Sequence, residues 1–272
     1  MKKIFTLLAL TISFSMNAQV STNSTSPTGT YASAMGNGTT ASGNESTAMG
    51  YDTTASAEAS TAMGYSTTAS AESSTAMGRG TTASGKRSTA MGYYTTASGW
   101  YSTAMGRSTT ASGEYSTAMG YQTTAITDYC TAMGRETTAT GDTSTAMGRS
   151  TTASGWFSTA MGGYTTASGQ NSTAMGFNTT ASDYSSTVIG QYNSSGSSAT
   201  SAGGFSTSNT AFVIGNGINS SNKSDAFKVM FNGDTTVSND LTVSGDVVIS
   251  SDARLKSNIV SLGSTLSKLL QI

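Results

Sequence analysis

A fourteen-residue unit, Ser-Thr-Ala-Met-Gly-x-x-Thr-Thr-Ala-Ser-Gly-x-x, repeats from about Ala32 to Gly190, with its cleanest copies at Ser46, Ser88 and Ser102. Its Ala-Met-Gly triplet recurs every 14 residues from Ala34 to Ala174, 11 times without an insertion or deletion. A fixed short period means one small structural unit stacked on copies of itself. Each unit divides into two heptads, so whatever the chain does once per unit it does in two halves.

Only 10% of the residues are charged, against roughly a quarter in ordinary globular chains. Such a Ser-, Thr- and Gly-rich composition also describes disordered linkers, but a linker has no need of strict register. Helix is a poor reading, because Thr, Ser and Gly are weak helix formers and the heptads lack two apolar seam positions. Four alternating residues followed by Gly-x-x read as a short strand and a turn. Two strands and two turns per 14 residues close one coil of a narrow all-β parallel solenoid.

Alternation along a strand assigns the faces. Ser46 and Ala48 share one face, Thr47 and Met49 the other; Thr53 pairs with Ala55, and Thr54 with Ser56. So short a coil encloses only small groups, which places the alanines inward and lets the glycines turn the chain at positive φ. Met35, Met49, Met63, Met77, Met91, Met105, Met119, Met133, Met147, Met161 and Met175 then form a stripe on one outer wall, with Ile189 in the same position of the last copy. At ~4.8 Å per coil the stripe is about 50 Å long. An apolar stripe of that length calls for symmetric association around it. The competing arrangement turns the methionines inward to fill each coil.

The two variable residues of each turn carry the individuality. After Met-Gly the first of them includes Tyr51, Tyr65, Arg79, Tyr93, Arg107, Tyr121, Arg135 and Arg149, a Tyr/Arg ladder along one edge. The opposite turns hold Glu45, Glu58, Glu72, Trp100, Glu114, Asp128, Trp156 and Phe157. Exposed aromatics and arginines contact sugars or proteins, or simply stabilise their neighbours on adjacent rungs. Both readings stay open. A second use of the solenoid would be ice binding through the Thr54-x-Ser56 ladder, although Ile126 and Thr140 interrupt its serine column.

Residues 1–18 read as a secretory leader, with Lys2 and Lys3 before an apolar core and cleavage after Ala18. Residues 19–31 form a lead-in to the repeats at 32–190. Formal net charge is −1, and without Lys2 and Lys3 there are 11 basic against 14 acidic side chains, or −3. No basic patch points to nucleic acid. With no histidine and a single cysteine, the chain offers no metal cluster or cofactor site. Cys130 replaces a repeat serine, so it either pairs between chains or is an inert thiol. No later stretch reaches the ~20 apolar residues of a membrane helix.

The Ser-x-Ala-x-Gly heptads, as in Ser46 to Gly50, resemble the head repeats of YadA-like trimeric autotransporter adhesins. That resemblance implies a left-handed β-roll, a homotrimer packed around a shared apolar axis, a place on the cell surface and binding of surface ligands such as a glycan or matrix protein. No stretch is similar to that family's membrane barrel or coiled-coil stalk.

Residues 191–250 keep a looser rhythm: Gly204 falls 14 residues after Gly190, but Gly215 follows after 11. Ala226–Gly233 and Leu241–Ile249 read as strands of a short stem. Residues 251–272 resemble the start of the peptidase S74 family, C-terminal chaperones that trimerise β-fibres and then cut themselves off. The resemblance maps the cut to Ser251 before Asp252, assisted by Lys256, a serine needing a base to take its proton. About 21 residues of such a domain follow the cut, so this chain is expected to be no enzyme and its chaperone truncated. A phage-type tail fibre is the remaining alternative, disfavoured by the bacterial-style leader.

Overall fold

The computed structural model describes residues 24–245. The leader and the S74-like residues Ser251, Asp252 and Lys256 lie outside the described residues. Two compact units divide the chain, 1–238 and 239–272.

The described residues of the first unit form a parallel β-solenoid, with no helix among them. Each coil contributes one five-residue strand, such as Thr103–Arg107, and one two-residue strand, such as Thr110–Ala111. The two heptads are therefore not equivalent, which their similar sequences conceal. The short strands stack into a 12-stranded sheet and the long ones open a 15-stranded sheet. Register is strict: Thr103 faces Thr117, Ala104 faces Ala118, and Met105 faces Met119. Amides reach the coil ahead, as in Thr103 N to Ser116 O (2.9 Å) and Thr110 N to Thr123 O (2.9 Å).

The inward faces are those expected from alternation. Ser46, Ala48, Thr53 and Ala55 are each 0% exposed, and their copies repeat the pattern. Methionine therefore does not fill the coil. Among the core serines, Ser46, Ser88, Ser158 and Ser172 have no hydroxyl partner, whereas some others return theirs to the chain three residues back, Ser102 Oγ to Gly99 O at 2.7 Å and Ser116 Oγ to Gly113 O at 2.7 Å. Cys130 does the same with its thiol to Thr127 O at 2.8 Å and is fully buried. Burial raises its pKa, and the enclosed sulfur favours a structural thiol over one that pairs between chains. The column from Thr39 to Thr179 is also buried, yet most of its hydroxyls have no hydrogen-bond partner.

Glycine acts at one of its two repeat positions as expected. Gly106 has φ +122°, and a Cβ there would lie 2.0 Å from Gly120 O. Only glycine meets both demands. The tight left-handed residue of each turn, by contrast, is the second variable residue, seldom a glycine: Asp52 (φ 54°), Tyr101 (φ 57°) and Tyr115 (φ 55°) are examples. Left-handed geometry costs an L-residue roughly 1–2 kcal/mol. Stacking holds it in place, because each such amide donates to the coil behind, as Asp52 N does to Asn37 O at 2.8 Å.

After Gln191 the beat is not resumed at Gly204. Instead the long strand Thr187–Gln191 pairs in parallel with Thr210–Asn216, so Val188 faces Val213 and Gly190 faces Gly215. The 11 extra residues loop out. The sheet then turns antiparallel through Asp225–Met230 and Thr235–Val237. These strands continue the solenoid sheet where a separate stem was expected. The described part of the second unit, 239–245, holds no strand, so Leu241–Gly245 does not begin the one expected there.

Polar side chains close this end. Asn193 stands where the next coil would place a threonine, and its amide takes over the missing backbone. Its Oδ1 accepts from Thr180 N and its Nδ2 donates to Thr180 O, both at 2.8 Å. The buried Asp183 carboxylate accepts from Thr200 N (2.6 Å) and Thr210 N (2.8 Å). Asp225 accepts from Ser194 N and Ser195 N, each at 2.8 Å. At the other end the only proline, Pro27, lies in the first short strand, Ser26–Pro27. Ser26 N and Thr28 N point at the next coil. The nitrogen of Pro27 therefore faces away from the next coil, on the side where no strand pairs with it among the described residues, and a missing donor there breaks no ladder bond.

Candidate functional site

Four surfaces follow from this stacking: a methionine wall, a short-strand wall and two turn edges. The methionine wall is the outer face of the long strands. Met35 faces Met49, and the column runs without a gap through Met63, Met77, Met91, Met105, Met119, Met133, Met147, Met161 and Met175 to Ile189. From Met49 onward the side chains are half-buried, and Met35 at the end is 43% exposed. The stripe extends further than the 14-residue count reaches, through Ile214, which faces Ile189, to Phe227 and Val237. Over 15 strands its length is roughly 65 Å. Ile214 was hidden because it lies 25 residues after Ile189.

On the edge after Met-Gly, the Tyr/Arg residues do stack in the expected order, as the last residues of the long strands. Tyr51 and Tyr65 are parallel, with centroids 5.0 Å apart. Arg79 lies 5.3 Å from the Tyr65 ring and 5.5 Å from Tyr93, and Arg107 lies 5.6 Å from Tyr93 and 5.4 Å from Tyr121. Arg135 covers the other side of Tyr121 at 5.8 Å. Arg149 leaves the column, which offers only Gly163 ahead of it, and sits over Tyr164 at 5.3 Å. Each cation–π contact of this exposed kind is worth about 0.5–1 kcal/mol. The rungs thus stabilise one another, with ring faces turned along the solenoid.

The opposite edge carries a second, aromatic ladder. Tyr101, Tyr115 and Tyr129 stack at 4.8 Å and 5.2 Å, nearly parallel. Arg87 caps them, 5.4 Å from the Tyr101 ring and donating to its hydroxyl. Their spacing of 14 was visible, but only in the second variable residue. The packed rings desolvate the Tyr115 hydroxyl, and with Tyr101 and Glu114 beside it this raises its pKa. Glu72 takes a hydrogen bond from Lys86 at 2.8 Å, which lowers its pKa. Trp100, Trp156 and Phe157 stand exposed on this edge. Back on the Tyr/Arg edge, the pKa of the Glu136 carboxyl is lowered by Ser150 and then by Arg135.

The Thr-x-Ser ladder lies on the short-strand wall, where Thr54 is half-buried and Ser56 exposed. Ile126, 46% exposed, breaks it. Among the described residues there is no group of three or more His, Cys, Asp or Glu able to hold a metal. Nor is any helix there long and apolar enough to cross a membrane.

The family model of the YadA head domain repeat (2 copies) matches residues 28–53, 55–81, 83–109, 97–123, 111–137, 139–165 and 167–193. Together these matches span more than half of the chain. No match was found among curated proteins.

Proposed function

The chain belongs to the YadA head-repeat family, an adhesin-like and generally non-enzymatic class, and from this we propose that it is the head of an exported, homotrimeric surface fibre that attaches cells to a host, matrix or other surface. The observation that carries the proposal is the unbroken outer column from Met35 to Val237. From Met49 onward each methionine is already half-buried, so association would remove only its remaining apolar area from water, a favourable term that adds up over the length of the column. Three parallel solenoids joined along this wall would remove the whole stripe from water at once. Ile189 and Ile214 support the reading, since an interface needs apolarity there and no particular chemistry. The turn edges would remain outside, with the phenols and guanidiniums of Tyr51, Tyr65, Arg79, Tyr93, Arg107, Tyr121, Arg135 and Arg149 offering polar contacts to a ligand. The S74-like C-terminal residues fit assembly of such a fibre by a trimerising chaperone.

Sedimentation of the full chain tests this directly. The wild type should sediment as a trimer, and Met105→Lys combined with Met119→Lys should give monomer with the same β-rich spectrum. A wild-type monomer would overturn the trimer.

A further inference from the structure

Most aromatic rings on this molecule have covered faces. In the Tyr/Arg ladder each ring looks at another ring or at an arginine, and Tyr101, Tyr115 and Tyr129 look at each other. A sugar cannot stack on a face already taken. The two tryptophans differ: Trp100 is 58% and Trp156 61% exposed, and neither indole is stacked in the ladders.

Trp156 also borders a surface concavity of about 300 Å³, lined with it by Ser154, Ser168, Gln170, Ala202 and Gly203. The concavity exists because the beat breaks. The loop inserted after Gln191 folds back along the edge, pinned where Tyr184 N donates to Ser201 O and Gln170 N donates to Ala202 O, both at 2.8 Å. Ala202 and Gly203 thereby form one side of the concavity.

Its chemistry is specific. No lining residue is charged. The Gln170 amide and the Ser154 hydroxyl are not engaged by other described side chains, while Ser168 Oγ meets Ser182 Oγ at 3.1 Å. An apolar peptide side chain would leave the amide and hydroxyls without partners, and an acidic sugar would meet no cation. A neutral pyranose satisfies both halves, with its C–H face on the indole and its hydroxyls on the amide and the serine.

We propose that this concavity is a subsite for a neutral pyranose unit of a surface glycan, with Trp156 as the stacking platform and Gln170 and Ser154 as hydrogen-bonding partners. The proposal rests on the adhesive-head reading and names its ligand class.

The chain has two tryptophans, so Trp100→Phe leaves Trp156 as the sole indole. The full-length Trp100→Phe chain, titrated with maltohexaose, cellohexaose, chitohexaose and mannohexaose, should show saturable change in indole emission with at least one of them. By calorimetry, Trp156→Ala should weaken that binding about tenfold or more, the loss of one stacking contact with its buried area. Gln170→Ala should weaken it less, and Trp100→Ala not at all. Silence across the panel, binding that survives Trp156→Ala, or a response confined to hyaluronan, heparin or a collagen coat would each overturn the subsite. Adhesion of the same chains to cultured cells separates the two readings. If wild type and Trp156→Ala adhere equally, the adhesive head stands and the subsite falls; a wild type that adheres to nothing removes the adhesive reading itself.

Discussion

A coil in the middle of the solenoid and the closing region after Gln191 solve the same problem by different means. In the middle, every strand amide finds a carbonyl on an identical neighbour, as Thr103 N finds Ser116 O. The last short strand, Thr180–Ala181, has no such neighbour. There Asn193, Asp183 and Asp225 supply single side-chain groups where a whole strand would otherwise stand. Repetition satisfies the backbone with the same residues each time, whereas termination needs particular residues at particular places. The periodic sequence ends where the periodic partner ends.

Glycine substitution should separate the two regions most sharply. Gly106→Ala places a Cβ 2.0 Å from Gly120 O in a left-handed backbone, and should lower stability by about 3 kcal/mol or more. Gly204→Ala, whose nearest neighbour is Ser201 Oγ at 3.9 Å, should change it by no more than about 0.5 kcal/mol. Urea midpoints of the two variants would show this, and equal losses would mean that the coil yields around a side chain.

The cap should come next in size. Asp183→Ala strips the acceptor from Thr200 N and Thr210 N and should cost about 2–3 kcal/mol. Ser102→Ala in a middle coil loses one hydroxyl bond and should cost about 1 kcal/mol. Hydrogen exchange resolves where the damage falls: the Asp183 variant should open first near residues 183–210, and protection unchanged there would deny the carboxylate its capping role.

The smallest effect should have the opposite sign. Thr109 holds a fully buried hydroxyl without a partner. Thr109→Val keeps the shape and removes the unsatisfied group, so thermal stability should rise by about 1 kcal/mol. A fall would show that the hydroxyl is paired in solution.

The Met column and the Tyr/Arg ladder were legible because a residue at one position meets its own counterpart 14 residues later. Counting along the sequence is then the same as looking up the stack. Alternation likewise put Ala48 inside and Met49 outside. Ile214 was not legible, since a loop of no fixed length lies before it. Trp156 was visible as an exposed aromatic, but not as the one beside a concavity, because its wall is Ala202 and Gly203.

By itself, then, the sequence determined the coil, its inward and outward faces and its ladders, all consequences of a strict period acting through strand alternation and neighbour stacking. Tertiary structure alone decided which residues take the left-handed turns, how Gly190 came to face Gly215, how Asn193 closes the sheet and that Trp156 borders a concavity. Each of these depends on a contact between non-equivalent residues far apart in the chain, and no period records such a contact.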